Sequence, residues 1–255
     1  MINPGNPTGQ IIDREVLLEI CQFCADEGIV LLADEVYQRN VYSDAAQFVS
    51  TKQVACDGNV EGLALASFHS TSKGLIGECG RRGGYMELHG FDPKVQAQIL
   101  KLASSGLCAG VGGQVMTSLM VRPPAVGDAS YESHEAEEAA IFTSLQRRSK
   151  MLIDGLNAID GISCNDTYGA MYVFPEIKMP AKAIAHAAAE GASVDMLYAI
   201  SLLNRTGICV VPASGFGQAE GRAGFRTTFL PNEEQMGIAI GLFKVHHDEF
   251  CSHWA

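Results

Sequence analysis

Basic charge is scarce in this chain of 255 residues: 18 lysines and arginines stand against 29 acidic residues, a formal charge of −11. So acidic a surface disfavours nucleic acid and anionic membranes, and neither is expected as a partner. An anionic small molecule can still be held if a few cations are focused at one place. Long apolar runs are also absent. None reaches the roughly 18 residues that a bilayer-spanning helix needs, and no signal-peptide pattern is visible. Zinc spacing is missing too. Cys21 and Cys24 form one C-x-x-C, but no second pair follows and no suitably spaced histidines complete a set, so no metal is expected. The chain shows no internal repeat and no low-complexity tract.

What is present is globular in character. Hydrophobic residues make up 47% and charged residues 18%, too apolar for a disordered chain. The length suits one large core or two smaller domains. Most of the eight cysteines lie in apolar surroundings. Cys21 and Cys24 sit three apart in the helical stretch "REVLLEICQFCADEG", which points both thiols at one face of a core. Reduced core cysteines suggest a reducing compartment, and a cytoplasmic protein is expected, with a mitochondrial one the alternative.

Along the chain, residues 1–10 read as a strand stub and turn. Asp13 is a plausible N-cap for a helix over 14–27, ended by Gly28. The run "IVLLA" (29–33) reads as a strand buried on both faces, and 62–68 and 83–88 repeat the theme. Helices are expected over 92–105 and 111–121. "RPPAVGD" (122–128) breaks the composition, and a long helix follows over 133–159, acidic first and basic at Arg147, Arg148 and Lys150. Beyond it the pattern predicts a strand over 170–177, a helix over 193–205, strands over 207–212 and 224–230, and a closing helix from Asn232. Strands alternating with helices indicate an α/β fold with a largely parallel sheet, followed by a smaller α+β lobe.

In open α/β sheets, ligands gather at the carboxyl ends of strands. There "LLADEVY" delivers Asp34 and Tyr37, "SFHSTSK" delivers Ser70, Ser72 and Lys73, "CGRRGGY" delivers Arg82, and the first turn "NPGNPTG" delivers Asn6. Taken singly, each has an ordinary structural reading: a turn cap, a core edge, a β-turn, a solvated arginine pair, a surface lysine. Together they suit pyridoxal 5′-phosphate, which needs a lysine for its aldehyde and an acidic partner for its ring nitrogen. Tyr37 and Asn6 would bond the ring's 3-oxygen, and Ser70, Ser72 and Arg82 the phosphate.

The ordered set N-P-x-N-P-T-G, A-D-E-V-Y, S-x-S-K and G-x-R-x-G-Y resembles the fold-type I aminotransferases that use pyridoxal phosphate. Stretches such as "LLADEVYQ", "GAMYVFP" and "GICVVPASGFGQ" are similar to the branch of that family acting on alanine. The resemblance implies that Lys73 is the Schiff-base lysine and catalytic residue, with Asp34 the pyridinium partner and Tyr37 and Asn6 the 3-oxygen partners. It implies Ser70, Ser72 and Arg82 as phosphate ligands, although Arg81 stands where the family usually has an aromatic residue, so both arginines remain open. "GFRTTFL" implies that Arg226 clamps the substrate α-carboxylate, with Asn6 also near the substrate. Ala213 stands where the family commonly has glycine, and a positive φ there would strain it.

By the same resemblance, residues 1–135 correspond to the back part of a large cofactor domain and 136–255 to a small C-terminal domain. The implied reaction is amino transfer between L-alanine and 2-oxoglutarate, and the implied full-length partner is a second copy of the chain. The family's front half has no counterpart here. A bare sheet face, self-association and little transaminase activity are therefore expected of this chain alone. The alternatives in the same cofactor class are glutamate:glyoxylate transamination and a lyase; outside it, a truncated non-enzymatic product. Ser70 to Lys73 also satisfies S-x-x-K, but the S-D-N and K-T-G companions of a serine acyl-enzyme are missing. "SGFGQAEG" lacks the G-x-G-x-x-G of dinucleotide binding.

Overall fold

Leu17, Cys21 and Cys24 recur at helical spacing, and they are the buried residues of the first helix, α1 (Arg14–Asp26). The computed structural model describes residues 1–43 and 46–255. Asp13 takes the N-cap position of α1, but its side chain makes no capping bond; Gly28, at φ +62°, turns the chain out of the helix. α1 packs its thiol face on Leu31, Ala33, Ala55, Leu63 and Leu65. All eight cysteines are free thiols, and burial pushes that of Cys21 up to about 11, which keeps it protonated and inert.

Contacts divide the chain into two compact units. The first comprises Met1–Asn6, Gln10–Ile141 and Tyr168–Ala170; the second comprises Pro7–Gly9, Phe142–Thr167 and Met171–Ala255. In the first unit β1 (Leu31–Asp34), β2 (Leu65–Ser70) and β3 (Gly84–His89) form a sheet in that order. β1 and β2 are parallel, as is the bridge from Ile2 to Asp34, whereas β3 returns antiparallel to β2. Around them lie α2 (Thr51–Asp57), α3 (Pro93–Ser104) and α4 (Val111–Val121). Asp92 caps α3 by accepting the Lys94 N–H. α2 was not expected from the sequence; Ser50 caps it by accepting the Gln53 N–H.

The expectation that 29–33 is buried on both faces is corrected. Burial alternates along β1, and Leu32 is 54% exposed. Among the described residues nothing covers that face, which the register continues over β3 through Met86; Leu100, Leu102, Val111 and Leu119 on α3 and α4 are exposed as well. The apolar run is as legible as a two-sided strand, but only one side meets a core.

Helix α5 (Tyr131–Asn157) carries the chain from the first unit into the second. There β5 (Tyr172–Val173), β8 (Phe225–Thr228) and β7 (Val211–Pro212) form one antiparallel sheet, and β4 (Ile162–Ser163) pairs with β6 (Glu176–Ile177). The strand expected over 170–177 is therefore two strands in two sheets. Pro175 lies between them with no N–H to continue a ladder, while its carbonyl accepts from Phe225 instead. Likewise only Val211–Pro212 of the stretch 207–212 is paired.

α6 (Ala181–Ala189), α7 (Val194–Thr206) and α8 (Glu233–His253) complete the second unit. Asn232 opens α8 with a capping box closed by Gln235. Tyr198 stacks on Phe225, and Phe225 on Phe243, at the centre of this core. Ala213 needs no glycine: it starts a 3₁₀ turn over Ala213–Phe216, and the left-handed position falls on Gly217 at φ +70°. No helix among the described residues is long and apolar enough to cross a membrane.

Candidate active site

Asp34 owes its position to hydrogen bonds on both sides of its strand. Its N–H donates to Met1 O and its carbonyl accepts from Asn3 N–H, both at 3.0 Å, while Glu35 N–H donates to Phe68 O at 3.1 Å. The parallel register pairs Asp34 with Phe68, so β1 and β2 release their chains at one edge of the sheet. The side chain is half-buried, and Oδ1 accepts the Val36 N–H at 3.2 Å, which fixes its rotamer. Tyr37, 2% exposed, lies in the turn that follows, its carbonyl accepting from Asn40 N–H at 2.8 Å. Asn6 is half-buried in the turn after Asn3.

Lys73 stands in the turn that leaves β2. The buried Thr71 is the anchor: its N–H and Oγ1–H both donate to Gly83 O, at 3.1 and 3.2 Å, and its carbonyl accepts from Glu78 N–H at 2.9 Å. Ser72 N–H donates to Ser70 Oγ at 3.3 Å. Gly74 adopts φ +67°, a conformation that suits glycine, and an added Cβ would meet Asn40 Oδ1 at 3.3 Å. Gly83 must also be small, because a Cβ there would come within 2.5 Å of Gly113 O on α4. Lys73 is half-buried, and no ion pair engages it or Asp34 among the described residues.

The first unit thus gathers Asp34, Tyr37, Ser70, Ser72 and Lys73 on the turns at one sheet edge, with Asn6 beside the segment that flanks Asp34. Arg82 is bonded within its own turn. It is exposed at φ +55°, and its Nη1 donates to Cys79 O at 2.9 Å. Arg81 is exposed and lies 3.6 Å from Glu78. Arg226 belongs to the second unit, where its guanidinium lies 4.5 Å from the Tyr172 ring centre and 4.9 Å from that of Phe216.

Two groups around the edge, one buried and one half-buried, escaped the sequence reading. Glu35, inside the quoted A-D-E-V-Y, is almost fully buried, and Thr51 donates to its Oε1 from both N–H and Oγ1 at 2.7 Å. Burial pushes its carboxyl pKa up, against the lowering effect of the Thr51 bonds. His69, on β2, presents its ring edgewise to Tyr85 at 5.9 Å, and its Nδ1 has no partner among the described residues. Burial lowers its pKa, favouring neutral imidazole, while Asp34 pulls the other way.

A half-buried amine and a half-buried carboxylate, both without an ion partner among the described residues, stand on neighbouring turns beside a phenol and two hydroxyls. That donor set fits an aromatic aldehyde with a basic ring nitrogen and a phosphate. The chain matches the aminotransferase class I and II family over residues 1–242. It belongs to that family. Family members bind pyridoxal 5′-phosphate, which the donor set above fits.

Among curated aminotransferases, a probable mitochondrial alanine aminotransferase of Dictyostelium discoideum is 53% identical over 255 residues, 99% of this chain and 48% of the relative. Alanine aminotransferase 2 of Panicum miliaceum is 49% identical, with 100% of this chain and 53% of the relative covered. Glutamate–glyoxylate aminotransferase 2 of Arabidopsis thaliana is 47% identical, with 100% and 54% covered. The chain thus spans about half the length of the curated aminotransferases it matches. Among solved structures, an alanine aminotransferase from Pyrococcus furiosus superposes with a TM-score of 0.78 at 25% identity, covering 98% of this chain and 57% of that one. The fold is that of the fold-type I aminotransferases.

Proposed function

We propose that this chain carries the cofactor-anchoring half of an aminotransferase whose whole protein exchanges an amino group between L-alanine and 2-oxoglutarate, giving pyruvate and L-glutamate. The observation that carries the reading is the parallel pairing of Asp34 with Phe68, which sends the carboxylate's turn and the Lys73 turn out from one sheet edge. Likeness to alanine aminotransferases at about half identity supports the choice of substrates.

When bound, pyridoxal phosphate supplies an electron sink for the substrate's α-carbon. The Asp34 carboxylate would hold a proton on the ring nitrogen. Lys73 Nζ would anchor the aldehyde and, once released, carry a proton between the substrate α-carbon and the cofactor's C4′. Tyr37 and Asn6 would donate to the 3-oxygen. Ser70, Ser72 and Arg82 would hold the phosphate. Arg226 would take the substrate α-carboxylate in a bidentate fork. Residues 1–135 would be the back part of the cofactor domain and 136–255 the small domain, in a cytoplasmic homodimer when whole. This chain alone would have little or no activity.

Borohydride reduction of the chain with pyridoxal phosphate, followed by peptide mapping, tests the anchor. Label concentrated on Lys73 and lost in Lys73→Ala is expected. Label spread over the lysines and indifferent to that substitution would refute it. A second reading, glutamate–glyoxylate transamination, is favoured by the Arabidopsis relative. In the whole protein, glyoxylate outrunning pyruvate as amino acceptor from L-glutamate would select it.

A further inference from the structure

Asp195, in the first turn of α7, is only 3% exposed, and no ion pair engages it among the described residues. Both of its oxygens are spent on one residue. Oδ2 accepts the Ser214 main-chain N–H at 2.7 Å, and Oδ1 accepts the Ser214 Oγ–H at 2.9 Å. A buried carboxylate satisfied by two charge-assisted bonds is a strong and directional tether. Ser193, just ahead of α7, does not cap the helix; its Oγ lies 3.0 Å from Ser214 Oγ.

The tethered residue belongs to the 3₁₀ turn Ala213–Phe216, which starts where Ala213 N–H donates to Gly224 O at 2.9 Å. The turn ends on Phe216. That ring is met edgewise by Phe174 at 5.6 Å and lies under the Arg226 guanidinium, with Tyr172 the second ring on it. Ring faces hold a guanidinium by its plane and leave the choice of N–H partners to the other groups around it. The orientation of that plane therefore depends on where the turn puts Phe216.

We propose that Asp195 is a positioning residue for Arg226: through Ser214 it fixes the turn that presents Phe216, and so sets the plane in which the guanidinium meets an anion. That the anion is the substrate α-carboxylate rests on the function proposed above. The coupling between Asp195 and Arg226 does not. It predicts a link between two side chains far apart in sequence, and the readout is the guanidinium itself rather than turnover.

The test is ¹⁵N-arginine NMR on the 255-residue chain. In the wild type, the Arg226 Nε–Hε signal is expected upfield of the other arginines, shifted by its two rings. Asp195→Ala should move it back toward them, Ser214→Ala part of the way, and Asp195→Asn, which keeps an acceptor for the main-chain N–H, least. Leu202→Val, which loosens α7 without touching Ser214, should leave it in place. An unshifted wild-type signal overturns the proposal, as does a signal unmoved in both alanine variants or moved equally by Leu202→Val. Should Asp195→Ala fail to fold, Ser214→Ala decides. The carboxylate role is tested apart, in the whole protein: a KM for 2-oxoglutarate left unchanged by Arg226→Gln removes that role and leaves the coupling standing.

Discussion

Glu35 Oε1 receives both donors of Thr51, the main-chain N–H and the hydroxyl, each at 2.7 Å, and so ties the first turn of α2 to the turn that follows Asp34. Removing the carboxylate leaves two buried donors unanswered. Each such donor costs about 1–3 kcal/mol. Glu35→Ala should therefore destabilise the chain by about 2–6 kcal/mol in urea unfolding, and Glu35→Gln, which keeps a carbonyl oxygen, by distinctly less. Equal losses in the two variants would mean that the bonds to Thr51 contribute little.

Acid should loosen the second unit through His246. The ring is 2% exposed, its Nε2 lies 3.0 Å from Ser201 Oγ, and its Nδ1 has no partner among the described residues. Burial, with the neighbouring His247, lowers its pKa to about 4. The folded form thus resists a proton that the unfolded chain accepts from about pH 6.5 downward. Stability should be level above that pH and fall as pH drops toward 4, by an amount on the order of 3 kcal/mol. Glu35, whose carboxyl is raised by burial, works in the opposite direction, so the measurement is the difference between wild type and His246→Gln. A pH profile of the urea midpoint that is identical in the two proteins would exclude this source.

Asp34→Asn should separate capture of the cofactor from its use. The amide keeps the shape of the turn and an oxygen for the Val36 N–H. It cannot hold a cationic ring nitrogen. In the whole protein, the half-reaction with L-alanine should slow by at least about 10²-fold, the scale of losing one organised electrostatic partner, while borohydride still fixes the cofactor to Lys73. Rapid-scanning absorbance measures the first and peptide mapping the second. An unslowed half-reaction would remove Asp34 from its proposed role.

The uncovered apolar face predicts self-association of this chain. Leu32, Met86, Leu100 and Leu102 are all exposed, a density that soluble monomers rarely tolerate. Leu32→Lys combined with Leu102→Glu should lower the weight-average mass seen in sedimentation. A wild-type chain that stays monomeric at the same concentration would count against it.

The sequence disclosed elements where local chemistry is decisive. The bounds of α4 agree with those expected, and local chemistry accounts for them: Gly110 caps its start and the prolines after Arg122 cannot extend it. The placement of Asp34, Tyr37 and Lys73 at or just beyond strand ends was legible because each follows a short apolar run. Burial was less legible: the apolar run through Leu32 is indistinguishable from one covered on both sides. Glu35 and Asp195 were missed for a different reason. Each is a single polar residue whose meaning lies in a partner distant in sequence, Thr51 in one case and Ser214 in the other. Nothing in one chain's residue pattern announces such a pairing. The strand expected over 170–177 failed at Pro175, a signal that was visible and was outweighed by its apolar neighbours.

Thr71 and Gly83 clasp the segment between them at its neck, so its contour is decoupled from the sheet beneath. The amine near the start of that segment takes its bearings from the clasp, and the span beyond it can drift in composition or gain residues without dragging the amine along. Variation among related sequences should accordingly accumulate on the far side of the loop, around Gly80, and thin out sharply at its two fastened ends.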